Sequence, residues 1–151
     1  MNYATALVQL PLVRETGRKE LIRTPEDMAR LCADVRGLAQ ESFHVIMLNA
    51  KNRVVNRHMV SLGIADASLV HPREVFRQAI VDNAAAIVLL HNHPSGDPTP
   101  SAEDVRITRQ LIEVGKVVDI KVLDHVIMGQ ESEGQPGFLS LRESGLCEFV
   151  G

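Results

Sequence analysis

Apolar positions along the chain fall into two kinds of run, and each kind predicts an element. Residues 84–90 are uninterrupted and short, the content of a strand buried on both faces. Residues 41–48 and 54–64 read as two strands joined by the polar turn 49–53, with Gly63 marking a bend. Residues 117–128 are apolar and β-branched, one central strand or two short ones broken near Asp119, and residues 138–141 close the sheet. Residues 4–13 alternate imperfectly, and Pro11 confines that strand to an edge or a bulge because it cannot donate to an interior ladder.

Between these strands the apolar residues recur at helical spacing. Thr24 is an N-cap candidate, Pro25 suits a first helical position, and Glu26 and Asp27 suit a first turn, so the spacing of Met28, Leu31, Cys32, Val35 and Leu38 predicts a helix over 25–38. Cys32 falls on its apolar face and reads as core. A second helix is expected over 71–81 with Val75, Phe76, Ala79 and Ile80 as its buried stripe. A third is expected over 102–115, presenting Val105, Ile107, Leu111, Ile112 and Val114, with Gly115 as its C-cap. Residues 14–23 form a charged connector, 66–70 a loop, 129–137 a polar loop, and the last ten residues a short tail.

The chemistry concentrates where the buried strand ends. His91 and His93 follow the apolar run directly, and if strand geometry runs on through them, residues i and i+2 share a face, so both imidazoles can converge on one ion while Asn92 points away. The loop that follows carries Pro94, Gly96, Pro98 and Pro100, and Ser101 to Asp104 then opens the next helix. Asp104 lands in the first helical turn, where a folded-back loop can bring its carboxylate to the two rings. Two histidines and a carboxylate suit zinc, and three protein ligands with an open fourth position are the arrangement of a catalytic rather than a structural site. Ser101 and Asp104 by themselves also fit an ordinary helix start. Glu41 shares a face with Phe43, Val45 and Met47 by period two; from the residues alone it reads as an exposed acid at a strand start. His44 and His58 lack ligand spacing and are expected at surface or strand-face positions, and His71 at a capping or loop position.

Composition narrows the classes. At 151 residues the chain fits one domain, and 45% hydrophobic with 23% charged content is that of an ordinary globular protein. With no Trp, one Tyr and four Phe, its core is aliphatic. The start has no basic region of a signal peptide, and no apolar run approaches the roughly eighteen residues that span a bilayer, so the expectation is a cytoplasmic protein without a membrane partner. Cys32 and Cys147 match no paired ligand spacing and are expected as reduced thiols. A formal charge of -3, from 16 basic and 19 acidic residues, gives no electrostatic footprint for tight nucleic-acid binding.

His91-x-His93, ten intervening residues and Asp104, with Ser101 three before it, resembles the JAMM motif of the JAB/MPN metalloprotease superfamily. The string from His91 to Ser101 resembles the RadC branch in particular, as do Gly63 to Ser68, Pro72-Arg73-Glu74 and Leu123 to Ile127; together these cover about residues 38–146. The resemblance implies an α/β (α+β) fold, an MPN/JAB-like and cytidine-deaminase-like mixed β-sheet flanked by helices, with residues 1–37 packing on a domain of residues 38–151. It implies one Zn2+ per chain held by His91, His93 and Asp104, with Glu41 as general base and Ser101 as oxyanion donor, hydrolysing a peptide or isopeptide bond. Fewer than forty residues precede the matched region, so the chain resembles a short form without the helix-hairpin-helix region of RadC proteins. The family name is tied to DNA repair, which the charge balance does not support. A non-catalytic MPN-type binding module and a DNA-repair-associated protein are the alternatives. Peptide or protein is the expected partner, and homodimerisation is left open. Arg73 is structural or substrate-facing, and Asp124-His125 is either an internal hydrogen-bonded pair or a support to the metal ligands. Specificity is expected in the loops around Arg53 and residues 129–137.

Overall fold

The computed structural model describes residues 20–63 and 70–149. The strand expected over 4–13 lies outside the described residues, as does most of the 66–70 loop. Thr24 caps the first helix: its hydroxyl accepts the Asp27 amide at 3.2 Å while the Asp27 carboxylate accepts the Thr24 amide at 3.0 Å. The single helix expected over 25–38 is two, α1 (Pro25–Leu31) and α2 (Ala33–Arg36). The chain tightens at Cys32, whose carbonyl accepts the Val35 amide at 3.0 Å. That turn sets Asp34 against Arg57, which donates from both terminal nitrogens at 3.0 and 2.8 Å. Cys32 and Val35 stay fully buried on either side of it, Cys32 as core.

Five strands form one sheet: β1 (Ser42–Leu48), β2 (Val54–Leu62), β3 (Ala86–Asn92), β4 (Lys121–Met128) and β5 (Phe138–Ser140). Their order is β2-β1-β3-β4-β5, with β3 and β4 parallel and the other neighbours antiparallel. A parallel pair cannot be joined by a tight turn, and helix α4 (Ala102–Val118) makes the crossover. Helix α3 (Pro72–Val81) lies between β2 and β3 in sequence, and a short α5 (Leu141–Ser144) follows β5. Among the described residues no helix is long and apolar enough to cross a membrane.

Period two divides the sheet into two faces. Phe43, Val45, Met47, Ile87, Leu89 and Ile127 join the core under α3 and α4, whereas Ile46, Leu48, Val88, Leu90, Val126 and Met128 join the core under α1 and α2. Both faces of β1 and β3 are therefore covered, and every residue in those strands is buried. This is the mixed sheet between helices that the resemblance implied.

Several local expectations are corrected. Helix α4 runs on to Val118 and is capped by Asp119 in the left-handed region (φ 58°). Gly115 instead lets the helix approach the start of β4, since a Cβ there would stand 2.5 Å from the Ile120 carbonyl. Val117 and Val118, read as strand, are exposed helical residues, and Ile80 is 57% exposed at the margin of α3 rather than in its buried stripe. Leu141 opens α5 instead of ending β5, so the expected tail contains a helical turn capped by Ser140.

His44 lies on a strand face, one of the two positions expected for it, but is buried, 1% exposed within a strand covered on both sides. Its Nε2 meets the Ser42 hydroxyl at 2.8 Å. Burial, reinforced by the nearby Arg57 charge against the opposing pull of Asp34, pushes the ring from its ordinary 6.5 down to about 4. A depressed folded-state pKa means that the unfolded chain takes up the proton first, so this stability is intact above pH 6.5 and is lost as pH falls toward 4. The loss amounts to about 2 kcal/mol at pH 5. Urea unfolding at pH 7 and pH 5 should show His44→Asn losing about 2 kcal/mol less than wild type across that interval; equal losses would mean that His44 titrates normally.

Candidate metal centre

The site forms where β3 emerges from the sheet. The His93 amide donates to the Met128 carbonyl at 2.8 Å, so strand pairing continues past Asn92 and keeps His91 and His93 on one face. On the other side of β3, Phe43 pairs with His91 in register; two residues further along, Glu41 stands opposite His93. The loop after His93 is pinned by the Gln130 amide, which donates to the Gly96 carbonyl at 2.8 Å. Gly129 allows this contact, because a Cβ there would overlap the Gly96 carbonyl. Asp97 folds the loop by accepting from the Thr99 amide and hydroxyl at 3.0 and 2.7 Å. A second capping box then starts α4: the Ser101 hydroxyl accepts the Asp104 amide at 3.1 Å and the Asp104 carboxylate accepts the Ser101 amide at 2.8 Å.

The outcome is a tight cluster. His91 Nε2 and His93 Nε2 are 2.9 Å apart, and Asp104, 3% exposed, places Oδ1 3.3 Å from the first and Oδ2 3.2 Å from the second. Glu41 Oε1 is 3.9 Å from His93 Nε2. The ligand atoms of Glu41, His91 and His93 all lie within 4.8 Å of one another, and this group could hold a metal ion. Asp104 lies closer to both rings than Glu41 does to His93. The cluster opens into a cleft of about 480 Å³ bordered by Glu41, His93, Ser101 and Asp104, with Gln40 and Gly63 at its rim.

Proton placement explains what the cluster needs. His93 Nδ1 lies 2.9 Å from the Asp97 carbonyl, which can only accept, so that nitrogen carries a proton. His91 Nδ1 lies 2.7 Å from His125 Nε2. With the His93 proton on Nδ1, its Nε2 lone pair and the Asp104 carboxylate converge beside His91 Nε2. Such a convergence is repulsive without a positive charge. Burial pushes His93 down, but the Asp104 carboxylate and the Asp97 carbonyl overrule it and hold the ring above its ordinary value. Burial likewise pushes Asp104 up, and its contacts with His91, His93 and the Ser101 amide overrule that and hold it well below the usual carboxylate range. A proton on His93 or a cation among the four groups would satisfy the same field.

Asn92 and Thr108, outside the expected set, and His125, for which a supporting role is one of two expectations, surround the site. Asn92 does point away, and its side chain fastens the chain before β1: Oδ1 accepts the Ser42 amide and hydroxyl, both at 2.8 Å, while Nδ2 donates to the Gln40 carbonyl at 3.0 Å and the Leu38 carbonyl at 3.4 Å. Glu41 sits inside that clasp. His125 reaches His91 from behind, its Nε2 2.7 Å from His91 Nδ1, and Thr108 in turn stands behind His125. Asp124 and His125 are not a side-chain pair; they face opposite sides of the sheet, and the Asp124 carboxylate accepts from the His125 backbone amide, Ser140 and the Arg142 amide. Burial pushes Asp124 up against those hydrogen bonds. The turn around Arg53 sits at the far end of β1, more than about 20 Å along the strand from Glu41, whereas 129–137 is tied to the loop after His93 through the Gln130 amide and the Gly96 carbonyl. His58 and Arg73 lie outside the cluster.

The five-stranded mixed sheet flanked by helices is consistent with a JAB-like fold, and the RadC-like JAB domain matches residues 22–146. The chain belongs to the RadC family. A UPF0758 protein of Halalkalibacterium halodurans is 48% identical over 130 residues, covering 85% of this chain and 54% of that protein. Those of Geobacillus thermodenitrificans and Caldanaerobacter subterraneus are each 45% identical, covering 93% and 94% of this chain and 65% and 63% of theirs. The chain thus spans between about half and two thirds of the length of these relatives.

Removing the Asn92 amide leaves buried partners unpaired, each at a cost of roughly 1–3 kcal/mol. Asn92→Ala should lower the urea-derived stability by at least that much; a loss below 0.5 kcal/mol, within the ordinary range of a surface substitution, would show that the clasp does not hold the strand start.

Proposed function

We propose that this chain is a zinc-dependent metallohydrolase of the JAMM type, cleaving a peptide or isopeptide amide bond with metal-activated water. The observation that carries the proposal is the convergence of two Nε2 atoms and the Asp104 carboxylate at separations of 2.9, 3.2 and 3.3 Å. Ligands about 2.05 Å from a tetrahedral zinc are about 3.3 Å from each other, so the three groups fit its edges with little adjustment. His91, His93 and Asp104 would hold the ion. Glu41 Oε1 is 3.9 Å from His93 Nε2, farther than Asp104 stands from either ring, which suits a base rather than a ligand.

Bound zinc lowers the pKa of a coordinated water from 15.7 toward about 7 and polarises a carbonyl. Glu41 accepts the water proton and returns it to the leaving amine, which requires reach of about 2.6–3.2 Å directly or through one water. Ser101 stabilises the oxyanion. Its hydroxyl oxygen accepts the Asp104 amide, so its own proton remains available to donate, and the side chain borders the cleft. A well-placed donor of this kind contributes about 3 kcal/mol to the transition state. The open cleft suits an extended stretch of polypeptide.

Elemental analysis of purified protein should find about one zinc per chain, with His93→Ala losing it; full zinc in that variant would remove the site. Glu41→Gln should keep the metal and lose hydrolysis of a peptide library by about 10²–10⁴-fold, and unchanged turnover would refute the base. Because zinc and a proton compete for His93, whose pKa is raised, zinc affinity should weaken as pH falls through that titration; a flat affinity between pH 8 and pH 5 would speak against His93 as a ligand.

A further inference from the structure

We propose that Thr108 and His125 are positioning residues that fix the ring tautomer and orientation of His91, an inference that rests on the metal-site reading above. The argument is one of counting protons. Thr108 lies one turn after Asp104 on α4, and its hydroxyl donates to the Asp104 carbonyl at 2.6 Å. A carbonyl only accepts, so the single hydroxyl proton is committed there. His125 Nδ1, 2.5 Å from the same oxygen, must then be the donor. A neutral imidazole has one N–H, which leaves His125 Nε2 as an acceptor, and facing it at 2.7 Å is His91 Nδ1. That nitrogen must carry the His91 proton. His91 Nε2 is left with its lone pair, aimed at Asp104 Oδ1 and His93 Nε2.

The chain of donors runs from His91 Nδ1 through His125 and Thr108 to the Asp104 backbone carbonyl, and the lone pair left on His91 Nε2 faces the carboxylate of that same Asp104. One helical turn therefore supplies both a carboxylate of the cluster and the oxygen that dictates which nitrogen of His91 faces it. Phe43 completes the fit: its ring stacks on His91 with centroids 5.8 Å apart and 15° between planes, and meets His125 edge-on at 5.5 Å. His125 is wholly buried, so no water replaces Thr108 without rearrangement. Outer groups of this kind, when removed, typically cost metal sites 10–100-fold in affinity.

The test uses zinc itself, measured by competition with a chromophoric chelator, and the ring ¹⁵N shifts of metal-free protein. Thr108→Val removes the hydroxyl at nearly constant shape and should weaken zinc 10–100-fold, while Thr108→Ser should stay within about threefold of wild type. Metal-free wild type should carry the His91 proton on Nδ1, and Thr108→Val should mix the two tautomers. Zinc bound equally tightly by wild type and Thr108→Val overturns the proposal alone. A wild type that binds no zinc overturns the metal reading and this proposal with it. Should Thr108→Val fail to fold, the tautomer in wild type still decides, and a His91 proton on Nε2 refutes the relay.

Discussion

Two imidazole nitrogens 2.9 Å apart, each with its ring proton committed elsewhere, create a concentration of lone pairs that the fold has to hold in place. Left to itself the arrangement would spring open, because bare nitrogen and carboxylate acceptors repel. Each member is therefore anchored from outside the cluster. His91 is held by His125 and stacked on Phe43, His93 by the Asp97 carbonyl, and Asp104 by the capping box of α4. Backbone elements that already have to exist, a strand end and a helix start, carry these anchors. The site is thus assembled from groups with a structural role as well as a chemical one, Ser101 and Asp104 above all.

The same logic extends through the sheet. The front face carries the cluster and the core under α3 and α4; the back face carries Ser42, His44 and Asn92 beside the core under α1 and α2. Buried polar groups cost free energy unless paired. Asn92 makes four hydrogen bonds and is satisfied, and they bind the segment bearing Glu41 to the strand bearing the histidines. His44 is satisfied at Nε2, while its buried Nδ1 has no partner. The stability of the back face and the placement of Glu41 on the front are consequently linked through the residue between the two histidines.

Much of this was legible in the chain. Period two placed His91 and His93 on one face and Asn92 on the other, and the Ser101 to Asp104 pattern marked the start of α4, because strand alternation and helix capping are local rules. What failed to read was where a residue has two uses. Gly115 looks like a helix end in sequence and is a close-approach point in space. The run over 117–128 reads as one strand or two short ones broken near Asp119 because valine suits a strand, yet the residues before that break, Val117 and Val118, complete α4 and are exposed. His44 is expected at a surface or strand-face position and lies on a strand face, but nothing local announces that both faces of β1 are covered and that the ring is therefore buried.

By itself, then, the sequence determined the main strands and the helix starts at Thr24 and Ser101, the ligand spacing and the resemblance to RadC proteins, since all are written in neighbouring residues. Only the tertiary structure decided that Glu41 stands opposite His93, that Asn92 clasps the segment around it, and that His125 and Thr108, neither near His91 in sequence, govern its ring. The reason is physical: hydrogen-bond partners across a sheet are chosen by register and by which helix covers which face, and those are properties of the whole fold.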